Sequence, residues 1–259
     1  MREAEHAGRT VVVTGAGGGI GRGAAMLFAQ QGAAVVCGDI DLAAAGETAR
    51  RIAAAGGRAL ALAVDVASET SNAALVARAE AEFGAVHIAF LNAGILRRGT
   101  VTQTPAAVFD EVMDVNLRGV FLGLQAVAPA IRRAGGGAIV VTASSAGLRS
   151  DPELAAYSVA KRGVIALVQS AATEMAPWNI RVNAICPGAV ATPMTSAIDT
   201  APGSALAQLH PLGRVGTPDD IAGLVSFLAG EHAGFITGAA YPVDGGLTSV
   251  AVPRYRGSV

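Results

Sequence analysis

Short runs of β-branched and small apolar residues recur along the chain, each followed by a polar or glycine-rich turn and then by a stretch with helical spacing. The first run, Thr10-Val-Val-Val-Thr14, is continuously apolar at its centre, as a strand buried on both faces should be. It leads into Gly15-Ala-Gly-Gly-Gly19-Ile-Gly21 and an expected helix over 22–31, closed by Gly32. A second strand, Ala34-Val-Val-Cys-Gly, ends in Asp39, and Asp41 is the expected N-cap of a helix over 42–55. The third strand is expected over 59–66, a helix over 68–83, and a fourth strand over 87–91 that runs into Asn92-Ala-Gly94. One long helix is expected from Thr104-Pro105 to Arg132, and a fifth strand over 138–142. The helix carrying Tyr157 should end near Pro177-Trp178, before a sixth strand over 180–186 and the turn Pro187-Gly188. Thr217 and Pro218 mark another helix start, and 237–246 reads as a last strand and turn. Residues 192–215 are irregular and contain Pro193, Pro202 and Pro211, so 193–215 is expected to form a flap. Strands alternating with helices predict an α/β fold: one doubly wound domain over 1–259, with a central parallel sheet and helices on both faces. No linker or internal repeat divides it.

Composition narrows the partners. A net charge of −1 gives no electrostatic footprint for nucleic acid or for an anionic membrane surface. No uncharged apolar run reaches membrane-spanning length, and 1–10 has no apolar core of a signal peptide. Cys37 and Cys186 alone offer neither a disulfide framework nor a zinc spacing. A reducing, cytoplasmic setting and no metal are therefore expected.

The candidate chemistry lies at the ends of the expected strands. A glycine turn between strand and helix is the context in which backbone amides approach a pyrophosphate at the positive end of a helix. The spacing here is Gly-x-x-x-Gly-x-Gly, through Gly15, Gly17, Gly19, Ile20 and Gly21. Asp39, at the end of the second strand, can accept hydrogen bonds from both hydroxyls of an adenosine ribose and would repel a 2′-phosphate. No Arg or Lys lies within several residues of it in sequence, which favours NAD over NADP. Asp65 and Asn92 fall at the same edge, where ligands bind in such sheets. Tyr157 and Lys161 are four apart on one helix, so they share a face. A phenol titrates at about 10. A positive charge at ~4 Å and an effective dielectric of about 20 is worth roughly 4 kcal/mol, an upper estimate of about three pKa units. That would bring Tyr157 close to neutrality, where a general acid/base is most effective. Asn116, within an apolar helix, must find partners if buried: Lys161, backbone or water.

Taken in order, Thr14-Gly-Ala-Gly-Gly-Gly-Ile-Gly21, Asp65-Val66, Asn92-Ala-Gly94, Asn116, Ser144, Tyr157-x-x-x-Lys161, Pro187-Gly188 and Val243-Asp-Gly-Gly246 resemble the short-chain dehydrogenase/reductase family over nearly the whole chain. The resemblance implies a Rossmann-type NAD(P)-dependent oxidoreductase, a dimer or homotetramer. It implies a catalytic set of Asn116, Ser144, Tyr157 and Lys161. Ser144 rather than Ser145 fits, being thirteen residues before Tyr157 and three before Gly147. It extends the cofactor contacts to Val66, Ala93, Gly94, Pro187, Gly188, Val190 and Thr192, with Tyr157 and Lys161 also at the nicotinamide end. Leu91 departs from the second Asn common in the family.

The expected reaction interconverts a secondary alcohol and a ketone with NAD. Ser144 would position the substrate oxygen, Tyr157 exchange its proton and Lys161 lower the tyrosine pKa and bind ribose. Asn116 would hold a water linking Lys161 to solvent. Two alternatives are an NADP-dependent 3-oxoacyl-thioester reductase and a non-catalytic nucleotide sensor. Substrate walls are expected from 95–99, 146–154 and the flap, mixing Ile95, Leu96, Leu148, Leu154, Met194, Ile198 and Leu206 with Arg97, Arg98, Arg149 and His210. His210 is expected on the flap surface rather than in catalysis. An assembly face is sought in Ala160, Gly163, Ala166 and Ser170 and in the apolar run 247–252.

Overall fold

The computed structural model describes residues 4–249. Seven strands, β1 (Thr10–Thr14), β2 (Ala34–Asp39), β3 (Arg58–Ala63), β4 (Ile88–Leu91), β5 (Gly137–Thr142), β6 (Ile180–Pro187) and β7 (Ala240–Val243), form one sheet in the order β3-β2-β1-β4-β5-β6-β7. Every pairing is parallel. The chain winds outward from β1 to β3, then returns to lay β4 on the other side of β1. That reversal opens a crevice above β1 and β4 at the carboxyl ends of the strands.

Period-two alternation explains the layers. Val11 and Val13 point to one face of the sheet, with α1 (Gly19–Gln30), α2 (Leu42–Ala54) and α9 (Pro218–Ala229) packed on it through Phe28, Ile52 and Leu228. Val12 points to the other, against α3 (Glu69–Phe83), α5 (Gly119–Arg133) and α7 (Ala155–Met175) through Leu75, Leu124 and Val168. Phe28, at 1% exposure, is the largest such anchor, and its truncation to alanine would cost about 3–5 kcal/mol. Helix starts follow the expected caps. The Asp41 carboxylate accepts from the Ala44 amide at 3.1 Å, and Thr217 and Asp220 form a reciprocal capping box.

Four boundaries differ from the sequence pattern by three residues or more, the first being α1, which begins at Gly19 rather than 22 and so takes Gly19, Ile20 and Gly21 into its first turn. β3 stops at Ala63 instead of 66, because Asp65 folds its Oδ1 back to accept from the Ala67 amide at 2.9 Å, a turn incompatible with strand pairing. β7 begins at Ala240, after Gly238 takes a φ of 73°. The expected helix over 104–132 is α4 (Ala106–Met113), a π-helical turn (Asp114–Arg118) and α5. The extra residue in that turn swings Asn116 inward. The irregular stretch holds only a single 3₁₀ turn, Pro193–Thr195, and α8 (Ala205–Gln208). The three remaining short elements are α6 (Ser145–Leu148) and 3₁₀ turns at Ala176–Trp178 and Glu231–Ala233.

Ala160 of the sought assembly face is buried against Val112 and Ala156, whereas Ala166 and Ser170 face outward. Residues 250–252 of the apolar run lie outside the described residues. No helix among the described residues is long and apolar enough to cross a membrane, and no cluster of three metal-ligating side chains occurs among them.

Candidate active site

A cavity of about 530 Å³ occupies the crevice over β1, β4 and β5. Gly15, Gly19, Ile20 and Asp39 border one end, Ser144, Tyr157 and Lys161 the other, and Asn92, Ala93, Gly94, Pro187, Gly188, Val190 and Thr192 lie along it. Gly17, Gly21, Asp65, Val66 and Asn116 are not among its walls. Gly21 is there for close packing: a Cβ would lie 2.0 Å from the Gly15 carbonyl oxygen, so only glycine lets α1 start this near β1. The Gly17 amide donates to Asp39 Oδ2 at 2.8 Å, and the Asp41 amide to Oδ1 at 3.0 Å. These two bonds fix the Asp39 carboxylate while leaving a lone pair on each oxygen for a further donor. Asp65 is exposed beyond the end of β3, turned to its own backbone, and Val66 packs under Gly119.

The glycine turn is braced from beneath by residues that the sequence reading passed over. Arg22 donates through Nη2 to the Gly17 carbonyl and through Nε to Thr48 Oγ1 at 3.0 Å. Thr48 in turn donates to the Ala16 carbonyl at 2.7 Å. Arg22 and Asp39 thus share Gly17 as a partner, one at its carbonyl and the other at its amide. Two of the Arg22 nitrogens, Nε and Nη2, are engaged with the protein.

At the other end, Ser144 caps α6: its Oγ accepts from the Ala146 amide at 3.1 Å, which leaves its hydroxyl hydrogen to donate elsewhere. Lys161, 2% exposed, donates from Nζ to the Thr142 carbonyl at 2.7 Å and lies 5.7 Å from the centre of the Tyr157 ring. Burial pushes the ammonium down to about 8. Burial also pushes the Tyr157 phenol above its ordinary value, with the Ser144 hydroxyl pulling the other way. The expected lowering of the tyrosine by Lys161 does not arise here: the ammonium is engaged with the Thr142 carbonyl, and burial raises the phenol.

Asn116 is fully buried and pairs like a strand residue with Ile95, accepting from its amide on Oδ1 and donating from Nδ2 to its carbonyl, both at 2.8 Å. Backbone, rather than Lys161, supplies its protein partners. Asn92 ties β4 to β1 and β5, donating to the Thr14 carbonyl at 3.2 Å and accepting from Thr142 Oγ1 at 3.1 Å. Thr14 Oγ1 accepts from the amides of Asn92 and Ala93 at 3.0 and 3.2 Å. Thr14 and Thr142 are thus the missed braces of the floor. Their one sequence signal is a hydroxyl at the carboxyl end of an otherwise apolar strand.

Leu96, Leu154, Met194, Ile198 and Leu206 supply apolar walls beside Tyr157, together with Leu209, while Ile95, Arg97 and Leu148 do not border the cavity. Arg97 is turned to Glu111 at 2.7 Å. Arg98 and Arg149 do reach the wall, each with a carboxylate partner, Glu153 at 3.3 Å and Asp151 at 3.0 Å. His210, expected on the surface, is 2% exposed, because both ring nitrogens are used inside the protein.

Known proteins resemble this chain over its length. A family described as enoyl-(acyl carrier protein) reductase matches residues 15–248. A cyclohexanol dehydrogenase from Acinetobacter sp. (strain SE19) is 43% identical over 244 residues, 93% of this chain and 95% of that protein. A cis-4-hydroxycyclohexanecarboxylate dehydrogenase from Sinomonas cyclohexanicum is 40% identical, covering 93% of this chain and 97% of that protein. Among solved structures, a short-chain type dehydrogenase/reductase from Mycobacterium marinum superposes with a TM-score of 0.91 at 32% identity, over 95% of this chain and 98% of that one.

Proposed function

Since the chain belongs to the short-chain dehydrogenase/reductase family, we propose that it is an NAD-dependent dehydrogenase of alicyclic secondary alcohols. The observation that carries this reading is the Ser144–Tyr157–Lys161 end of the cavity, which opens directly onto apolar walls from Leu96, Leu154, Met194 and Leu206. A six-membered carbocycle with one hydroxyl matches such a wall, and dehydrogenases of cyclohexanol and of a hydroxycyclohexanecarboxylate are 43% and 40% identical to this chain. A 3-oxoacyl-[acyl-carrier-protein] reductase from Thermotoga maritima, at 34%, is a more distant match.

The residues suit a dinucleotide. The glycine turn offers amides at the start of α1. Asp39, held by two backbone amides, is poised for ribose hydroxyls and against a 2′-phosphate, which supports NAD. Asn92, Ala93, Gly94, Pro187, Gly188, Val190 and Thr192 would flank the rest of the dinucleotide. Gly17, Gly21, Asp65 and Val66 would act around it, from positions behind or beyond the walls. When bound, oxidised nicotinamide supplies the hydride acceptor and a positive charge that favours a phenolate at Tyr157.

In the direction of oxidation, Ser144 donates its free hydroxyl hydrogen to the substrate oxygen and fixes it beside the phenol. Tyr157 then takes the hydroxyl proton. Lys161, buried and bonded to the Thr142 carbonyl, keeps a cation behind the phenol and can pass a proton onward. Asn116 fixes the segment at Ile95, and so the wall next to Lys161. The whole chain would act as one catalytic and cofactor-binding unit with 193–215 as the substrate flap.

Assembly as a homotetramer or dimer belongs to the same proposal, supported by the exposure of Phe121 on α5 (45%) and Val159 on α7 (52%) and tested by light scattering. A cytoplasmic setting does as well, supported by two buried free thiols and tested by cell fractionation. The activity test is turnover of cyclohexanol, cyclopentanol and a linear secondary alcohol with NAD and with NADP, followed by nicotinamide absorbance. Oxidation of the cyclic alcohols with NAD is expected. Turnover with NADP alone would overturn the cofactor reading, and a preference for the linear alcohol would overturn the substrate reading.

A further inference from the structure

The flap is not a free lid: the Leu212 amide donates to the Gly245 carbonyl at 3.2 Å, and His210 joins the flap to a second loop. The ring lies between two segments that the sequence separates. From the loop after β6, the Ala189 amide donates to Nε2 at 3.2 Å; on the other side, Nδ1 faces the Leu206 carbonyl of α8 at 2.9 Å. Since Nε2 must accept, Nδ1 carries the hydrogen and donates to Leu206, so one neutral tautomer satisfies both bonds. The contact is tight. A Cβ on Gly188 would lie 2.9 Å from Nε2 and 3.0 Å from the Asp244 Cα, so the loop passes this close because residue 188 is glycine.

The same loop is held from its far side. The Gly216 amide donates to the Ala189 carbonyl at 2.8 Å, and the Ala191 amide to the Gly216 carbonyl at 2.9 Å. These bonds close the base of the flap, while His210, nearer its C-terminal end, ties it to the loop. Gly188, Ala189 and Val190 border the cavity on one side of this tie, and Leu206 and Leu209 on the other.

We infer that His210 is a positioning residue that locks the substrate flap to the loop flanking the nicotinamide, so that the apolar roof and the dinucleotide wall are set together. This rests on the reading of the cleft as a dinucleotide site. An apolar residue in its place would strand the Ala189 amide, while the Leu206 carbonyl would keep only the Leu209 amide, at 3.3 Å. Glutamine reaches about as far as Nε2 and offers an oxygen to the Ala189 amide.

The test is fluorescence titration of NADH into the wild type, His210→Leu and His210→Gln, with melting temperatures and steady-state oxidation of cyclohexanol. His210→Leu should weaken NADH and raise the cyclohexanol KM, each by about tenfold, the size of one lost hydrogen bond, with kcat at saturation changed far less. His210→Gln should recover most of the NADH affinity. Unchanged NADH affinity and KM in His210→Leu would overturn the inference. So would equal losses in the two variants that track an equal fall in melting temperature, since that marks packing alone. Wild-type NADH binding is the separate test of the dinucleotide reading; only differences between the variants bear on His210.

Discussion

The floor and the roof of the cleft are built differently. On the floor, Thr14, Asn92, Thr142, Lys161 and Asn116 sit at strand ends or in helices, and each is fixed by hydrogen bonds to a neighbouring element. The roof, over 193–215, contains one four-residue helix and a 3₁₀ turn, exposes Met194, Leu209 and Leu212, and is fastened at its base and at His210. A floor with its polar groups paired holds reacting atoms in place. A roof whose internal hydrogen bonds join residues only a few apart can be rebuilt around a different substrate without disturbing them. Floor substitutions should therefore act on kcat, stability or cofactor choice, and roof substitutions on KM.

The largest effect is expected at Tyr157. Tyr157→Phe should lower cyclohexanol turnover by about a thousandfold, the scale of lost general-acid/base catalysis, with NADH affinity within about twofold of wild type by fluorescence. Next comes Asn116→Leu, which strands the half-buried Ile95 amide and carbonyl. It should cost about 2–3 kcal/mol by urea denaturation, and a loss below 0.5 kcal/mol would make the π turn incidental. Asp39→Ser should move the NAD/NADP ratio of kcat/KM toward NADP by about tenfold or more, by removing the charge that opposes a 2′-phosphate.

A smaller effect is expected from Lys161 on stability. Its folded value of about 8 lies below the ordinary lysine value, so the unfolded chain binds more protons between about pH 8 and 10.5. The group's contribution to stability accordingly rises with pH through that window. The melting temperature of the wild type should gain on that of Lys161→Met from pH 7.5 to 9.5, and a constant difference would contradict the burial effect. Smallest of all, Met194→Ala, at a half-exposed roof position, should change the cyclohexanol KM a few-fold and leave kcat nearly unchanged; a large drop in kcat would erase the contrast between floor and roof.

The floor was also the more legible part in the sequence. β1 has its expected bounds because Val11-Val-Val13 admits no other burial. Asp41 and Thr217 announce their helices by side-chain chemistry that is local, and local chemistry is what a sequence displays. The π turn at 114–118 has no such signature. Its stabilising partner, Ile95, is twenty-one residues away, so the inward turn of Asn116 could be suspected from its unfavourable propensity and not located. Asp65 ended β3 early through a side-chain turn that strand pattern alone conceals. Arg22 and His210 were invisible for a different reason. One looks like a polar residue on a surface helix and the other like a polar residue in a proline-rich loop. Only the fold brings Gly17 and Thr48 to the first, and Ala189 and Leu206 to the second.

The proton role of Tyr157 is tested most directly by kcat/KM against pH in both directions on the wild type, using cyclohexanol with NAD and cyclohexanone with NADH. With Tyr157 as the proton carrier, oxidation would need the phenolate and reduction the phenol. The oxidation profile should therefore rise with pH and the reduction profile fall, with the same group setting both limbs. Two profiles that rise together, or that are flat across the range, would remove Tyr157 from proton transfer and leave the floor without its central residue.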